Sequence, residues 1–337
     1  MPIFNVAARG RPNAFIYAEL SGAVGGKASD DADGIIYDGD GARVFFDGSQ
    51  GLRFLGCDAP EMAYKVPISP TQSTSSPSDR RAKLGSPEWA AYLTDPLAPG
   101  QWPAFPGKGL HPLVAARVAA ASGPDAAANH ARHAVIARQT LVDLIKADQA
   151  TIGVGPEGFR FFLAFAHEMV DGYGRPLVYL NASSKDEATR PRLTYNERLI
   201  EKGVASPFFI WPNTDPFRGK RSVKDAALPP AALRTLARKG KLGATRAMAE
   251  AARNQRLGLY AAADSLRLLA FEIRMLGDRK LPSRWVIDLA AADDDPTLYP
   301  PEAYPLIAHP ENRLFIPEEY VPLFAENGWR PGLLVRY

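Results

Sequence analysis

The chain has 337 residues, enough for one large domain or two ordinary ones, and its 46% hydrophobic and 23% charged content excludes a disordered or fibrous polymer. Lys and Arg number 40 against 37 Asp and Glu, so overall charge argues for no partner, and any basic surface has to come from local clustering. The single cysteine, Cys57, excludes an internal disulfide framework, and its apolar neighbourhood reads as that of a buried thiol.

The N-terminal "MPIFNVAARGRPNAF" has arginines where a secretory leader needs an apolar core. No run approaches the ~18 apolar residues of a membrane span, so the expectation is a soluble, cytoplasmic protein with no membrane partner. The first sixty residues read as β. "AFIYAEL", "GIIYDGD", "ARVFFDG" and "LRFLGCD" are aromatic and β-branched runs parted by turn residues, and "DGSQG" (47–51) suits a hairpin loop. From about Tyr64 to Pro124 periodicity disappears among prolines and serines, which predicts a partly mobile insertion with one short helix at "SPEWAAYL".

Residues 125–149 predict a helix, with Val135, Leu141, Leu144 and Ile145 among its apolar positions. Residues 158–182 predict two strands around the turn "DGYGR", and 195–205 a short helix closed by Gly203. A proline-rich, basic connection leads to an amphipathic helix at 243–260 and another at "ADSLRLLAFEIRML". The remainder to Tyr337 is rich in prolines and shows no repeat. This order predicts an α+β protein: a small barrel core from 1–63 and 125–260, an insertion at 64–124 and an extension at 261–337.

Asp38, Asp40, Arg53, Asp58 and Glu61 fall within 24 residues of that β segment. Carboxylates at neighbouring strand ends can grip a hard cation, with waters, a carbonyl or a phosphate completing the shell. Glu61 could activate a water, and Arg53 could fork onto two phosphate oxygens. Those parts together make a phosphodiester-cleaving site. Spacing alone also allows a plain turn at Asp38-Gly39-Asp40 and a strand that merely ends in "DAPE".

The ordered series "DGDG…RFLGCDAPE", a helix, "DGYGRPLVYL", "YNERLIEKGVA" and "AEAARNQRLGLY", over roughly 30–61 and 125–260, resembles the staphylococcal-nuclease-like (thermonuclease) family. The resemblance implies an OB-like five-stranded β-barrel packed with helices, a calcium site, and hydrolysis of DNA or RNA that leaves 3′-phosphates. It assigns Asp40, Asp58 and the carbonyl of Ala59 to a metal, calcium first, with magnesium or another divalent ion as alternatives. It assigns Glu61 as general base and Arg53 and Arg175 as phosphate-binding arginines, whose charge would stabilise the transition state. Tyr173 matches a substrate-contacting tyrosine. Two departures concern the metal shell: Gly41 and Ala59 stand where the family has threonines. In "SPFFIWPN", Phe209 and Trp211 stand at two usual tyrosines; Trp211 could stack on a base or belong to the core.

His130 and His133, three apart on a helix, are expected on a solvated face, since no third metal ligand accompanies them. His167-Glu168 is expected to be structural. The basic stretches at 217–224 and 233–246 suit either a solvated surface or contact with a phosphate backbone. The insertion enters directly after Glu61, where it could cover a substrate groove, and 261–337 could serve assembly or a regulatory protein partner. The expected function is a calcium-dependent nuclease with little sequence preference. The alternative is a catalytically weak OB-fold module that binds nucleic acid or protein.

Overall fold

The computed structural model describes residues 15–20, 40, 43–45, 49–67, 81–214 and 222–332. The expected strand "GIIYDGD", apart from Asp40, lies outside these residues, as do 68–80 of the insertion and most of the basic run at 217–224. β1 (Phe15–Leu20), β2 (Arg43–Phe45) and β3 (Ser49–Gly51) form an antiparallel meander. Residues 49–51 are therefore strand and not hairpin loop, because they complete the ladder against β2.

After Leu52 come β4 (Arg53–Phe54) and, beyond Leu55, β5 (Gly56–Asp58). Gly56 has φ +73°, and a Cβ there would lie 3.2 Å from the Tyr179 hydroxyl, so this kink needs glycine. β6 (Ala63–Lys65) pairs with β7 (Arg81–Lys83), followed by α1 (Pro87–Thr94), α2 (Pro112–Ala121) and the long α3 (Ala126–Ile152). β8 (Arg160–Ala164), β9 (Leu177–Ala182), α4 (Tyr195–Glu201) and β10 (Ser206–Ile210) come next. α4 opens on a capping box in which Thr194 and Glu197 satisfy each other's backbone N–H.

α5 (Val223–Ala226), α6 (Pro230–Arg238) and α7 (Gly240–Asn254) lead to α8 (Ala270–Asp278). The chain closes with β11 (Trp285–Asp288), β12 (Thr297–Leu298), β13 (Arg313–Ile316), α9 (Val321–Glu326) and β14 (Arg330–Pro331). The class is mixed α+β, with a six-stranded order β3-β2-β1-β8-β9-β4 and a four-stranded order β11-β13-β10-β5. As paired ladders the first is an open order, not a ring. Its two ends, β3 and β4, are consecutive in the chain, and β4 runs parallel to β9.

The three largest apolar clusters among the described residues form around these sheets. The first joins Phe54, Cys57, Phe161, Leu163, Val178 and Leu180 of the strands to Leu141 and Ile145 of α3. The thiol expected to be buried is so, at 1% exposure. The four-stranded sheet divides the other two by its period of two. Phe208, Val286 and Phe315 face one side, while Phe209, Ile287, Leu314 and Ile316 face the other.

That first side corrects the reading of 81–124 as an excursion with one short helix. Trp89, Tyr92, Leu93, Val114 and Val118 of α1 and α2 are buried with Ile273, Leu276, Val286 and Tyr304 of the extension. Insertion and extension thus share one core. The helix expected from 263 starts only at Ala270. Upstream, α3 takes over the backbone's hydrogen bonds: Asn129 Oδ1 accepts the Arg267 N–H, and His130 bonds the Leu268 carbonyl. Those bonds compete with a helical turn. No helix among the described residues is long and apolar enough to cross a membrane.

Candidate functional site

The kinked run β4–β5 and the turn after it bring Asp40, Arg53, Asp58 and Glu61 together, and α8 adds an arginine from far along the chain. The five form an alternating series. Arg53 Nη1 lies 3.3 and 3.2 Å from the two Asp40 oxygens, and its Nη2 donates to Asp58 Oδ1 at 2.6 Å. Arg274 Nη1 and Nη2 donate to Asp58 Oδ1 and Oδ2 at 2.9 and 2.8 Å, and Nη1 also reaches Glu61 Oε1 at 2.6 Å. The carboxylates are buried, at 1%, 2% and 6% exposure for Asp40, Asp58 and Glu61, so they require such partners.

Burial by itself raises the Asp58 pKa, but the charges of Arg274 and Arg53 and their hydrogen bonds outweigh it and hold the carboxyl below its ordinary value. The Asp58 carboxylate in turn helps hold Arg274's pKa above its ordinary value against the opposing pull of burial.

Glu61 is fixed through its backbone. Its N–H donates to His130 Nε2 at 2.9 Å, while His130 Nδ1 donates to the Leu268 carbonyl at 3.1 Å. This arrangement uses the neutral imidazole, and burial pushes His130 down to about 3. His133 Nε2 donates to the Asp264 carbonyl at 2.7 Å. The two histidines are buried at 0% and 3% exposure, which corrects their expected place on a solvated face: they join α3 to the segment before α8. Asp40 Oδ2 accepts the Ala59 N–H at 3.1 Å, so Ala59 meets Asp40 through its nitrogen.

Arg175 stands beside this series without joining it. The Arg53 N–H donates to the carbonyl of Pro176, and a Cβ at Gly51 would lie 3.9 Å from Arg175 Cδ. The Arg175 guanidinium pairs with Asp171 at 2.8 Å, inside the turn closed by Gly174 at φ +79°. Tyr173 is 80% exposed, with the Arg175 guanidinium 5.6 Å from its ring centre. The Tyr64 hydroxyl donates to Asp278 at 2.8 Å.

Trp211 is elsewhere. It is 1% exposed, packed edge-on against Tyr320 and Phe324, with its indole N–H toward the Ala226 carbonyl. Its faces are therefore closed to a stacked base, and Phe209 is buried at 2% with it. Of the two alternatives for Trp211, the core one holds. Glu168 accepts from Asn213 Nδ2 at 2.7 Å, and the N–H groups of His167 and Glu168 donate to Asn213 Oδ1, a structural knot.

In the basic stretch 233–246 the arginines are engaged within the protein, while Arg238 and Lys239 stay exposed. Arg234 is fully buried and donates to the Asp295 carbonyl, Arg246 donates to the carbonyls of Glu311 and Ala237, and Arg238 pairs with Asp293. A phosphate-binding surface there loses most of its arginines, because they cap carbonyls and carboxylates of the extension.

A calcium ion takes six to eight oxygens and a magnesium ion six. An ionised carboxylate offers about four acceptor directions, and Asp58 already accepts three guanidinium hydrogen bonds. Asp40 Oδ2 is shared between Ala59 and Arg53. Among the described residues no three His, Cys, Asp or Glu side chains are grouped so as to hold an ion. As arranged, these residues do not fit a divalent cation.

Arg274 is the residue missed in the sequence, although a signal was present. Positions 270, 273, 274 and 277 share one helix face; the first two are the buried Ala270 and Ile273, and the last is the tightly packed Gly277. An arginine on an apolar face calls for a buried partner of opposite charge. No protein-family model matches the chain, and no curated protein matches it.

Proposed function

We propose that the chain is a phosphodiester hydrolase acting on nucleic acid, of the thermonuclease-like kind. The observation that carries this reading is the convergence of Asp40, Arg53, Asp58 and Glu61, joined by Arg274, into one buried group with contacts of 2.6–3.3 Å. In this reading Arg53, 16% exposed and bridging two carboxylates, offers its guanidinium to a phosphate oxygen. Arg175 does the same from the adjoining turn, and Tyr173 supplies an open aromatic face for a base. Glu61, held by His130, takes a proton from the attacking water. The ladder order supports an OB-like barrel, since β3 and β4 at its two ends are one run of chain and β4 meets β9 in parallel.

One specific observation favours a second reading, a binding module with weak catalysis or none: Arg274 holds both Asp58 and Glu61 Oε1. Digestion of fluorescent single- and double-stranded DNA and RNA separates the two, run with calcium, with magnesium and with chelator, beside Glu61→Gln. Cleavage lost in Glu61→Gln supports the hydrolase. Binding without cleavage in every arm refutes it in favour of the module.

A further inference from the structure

We infer that Arg274 is the cation of this site, its guanidinium standing where the resembled family holds a metal ion, so that the native chain takes up no divalent cation there. The inference rests on reading Asp40, Asp58 and Glu61 as a phosphodiesterase-like cluster. Three features carry it. Arg274 grips Asp58 with both Nη atoms at 2.9 and 2.8 Å and Glu61 at 2.6 Å, the forked geometry in which guanidinium binds carboxylate most strongly. It lies in the middle of the acids, with Arg53 completing the series on the far side of Asp58. It is also delivered by a helix that is clamped, not hinged.

The clamp is extensive. Ile273 and Leu276 are fully buried. The Tyr92 hydroxyl donates to the Leu276 carbonyl at 2.9 Å, and the Tyr64 hydroxyl to Asp278 at 2.8 Å. Glu272 accepts two bonds from Arg117 and one from Tyr304. At Gly277 the helix touches β6 so closely that a Cβ would sit 2.5 Å from the Lys65 carbonyl oxygen. α8 therefore stays beside the acids, and the guanidinium leaves them only by giving up its three hydrogen bonds to Asp58 and Glu61. A metal ion would have to displace that guanidinium from Asp58 and Glu61, while finding about one acceptor direction left on Asp58. The site's positive charge is thus covalently supplied and permanent, and chelators have nothing to remove.

The test is calcium titration of the full-length protein by calorimetry, with manganese as a paramagnetic probe of the same site. Native protein, Arg274→Met, Arg274→Met/Asp58→Asn and Arg274→Lys are compared. Methionine keeps much of the apolar stem and removes the charge. Native protein should show no saturable uptake up to about 1 mM, a range in which weak extracellular-type calcium sites fill. Arg274→Met should gain one site at least tenfold tighter, and adding Asp58→Asn should abolish it.

Arg274→Lys keeps an ion pair to hold the fold but loses the fork, and should bind calcium at least threefold more tightly than native protein. One calcium per native chain below 1 mM overturns the inference. So does equal affinity in a folded Arg274→Met, or in Arg274→Lys if the methionine variant does not fold. Calcium-dependent cleavage by the native protein would overturn this inference and keep the hydrolase. No cleavage by native protein, with calcium uptake gained in the variants, would keep this inference and refute the hydrolase.

Discussion

Acidification should unfold this protein through His130 before its carboxylates are reached. The ring is wholly buried, and its pKa falls to about 3 from an ordinary value of 6.5, with burial the main cause. A base depressed in the folded state is protonated first in the unfolded chain, so its contribution is complete above pH 6.5 and is lost as pH falls toward 3. Each unit below 6.5 costs about 1.4 kcal/mol, which makes roughly 2 kcal/mol between pH 7.5 and 5. Urea unfolding followed by tryptophan fluorescence at the two pH values measures this loss. His130→Gln offers an amide oxygen to the Glu61 N–H but no titrating group. It should lower stability at pH 7.5 by about 1–2 kcal/mol, in the range for a perturbed buried hydrogen bond, and its further loss on going to pH 5 should be about 2 kcal/mol smaller than the native protein's. An equal fall in both proteins would show that a neutral His130 is not what acid attacks.

Asn196→Ala should destabilise by about 2–4 kcal/mol, because Asn196 serves three buried backbone groups, the carbonyls of Leu55 and Val178 and the N–H of Leu180; a loss under about 0.5 kcal/mol in urea titration would contradict that accounting. Trp211→Ala should cost about 3–5 kcal/mol as a core truncation, and at temperatures where it stays folded its oligonucleotide affinity should equal that of the native protein. Tyr173→Ala should leave stability within about 0.5 kcal/mol, as befits an exposed side chain. It should weaken single-stranded oligonucleotide binding by about 1–3 kcal/mol if the ring stacks on a base, which fluorescence anisotropy would read.

The chain announces its local structure more fully than its partnerships. α3 is legible because Leu141 and Ile145 recur at helical spacing, and the "DGYGR" turn because its aspartate and glycines suit only a few backbone shapes. Asp58 and Glu61 are legible as a pair because they stand three positions apart. Their relation to Arg274 is not, since it lies 216 positions beyond Asp58, and no local rule reaches that far. The same distance hides the second core: the short helix of Trp89 and Tyr92 is legible by itself, but its packing with Ile273 and Leu276 is not. The histidines mislead for a related reason. His130 and His133 look solvated on α3 because the carbonyls that receive them, of Leu268 and Asp264, lie 138 and 131 positions further along the chain.

The long reach from Asp58 to Arg274 also fixes an order of events during synthesis. Glu61 leaves the ribosome 213 residues ahead of the arginine that will hold it, an interval of roughly 10–40 s at ordinary elongation rates of about 5–20 residues per second. Through that time the nascent chain carries its acids with Arg53 alone as a cationic partner from the series. A chain interrupted before α8 would also leave the aromatic face of α1 bare. The acids of the β4–β5 run thus stay without Arg274 until α8 has been made.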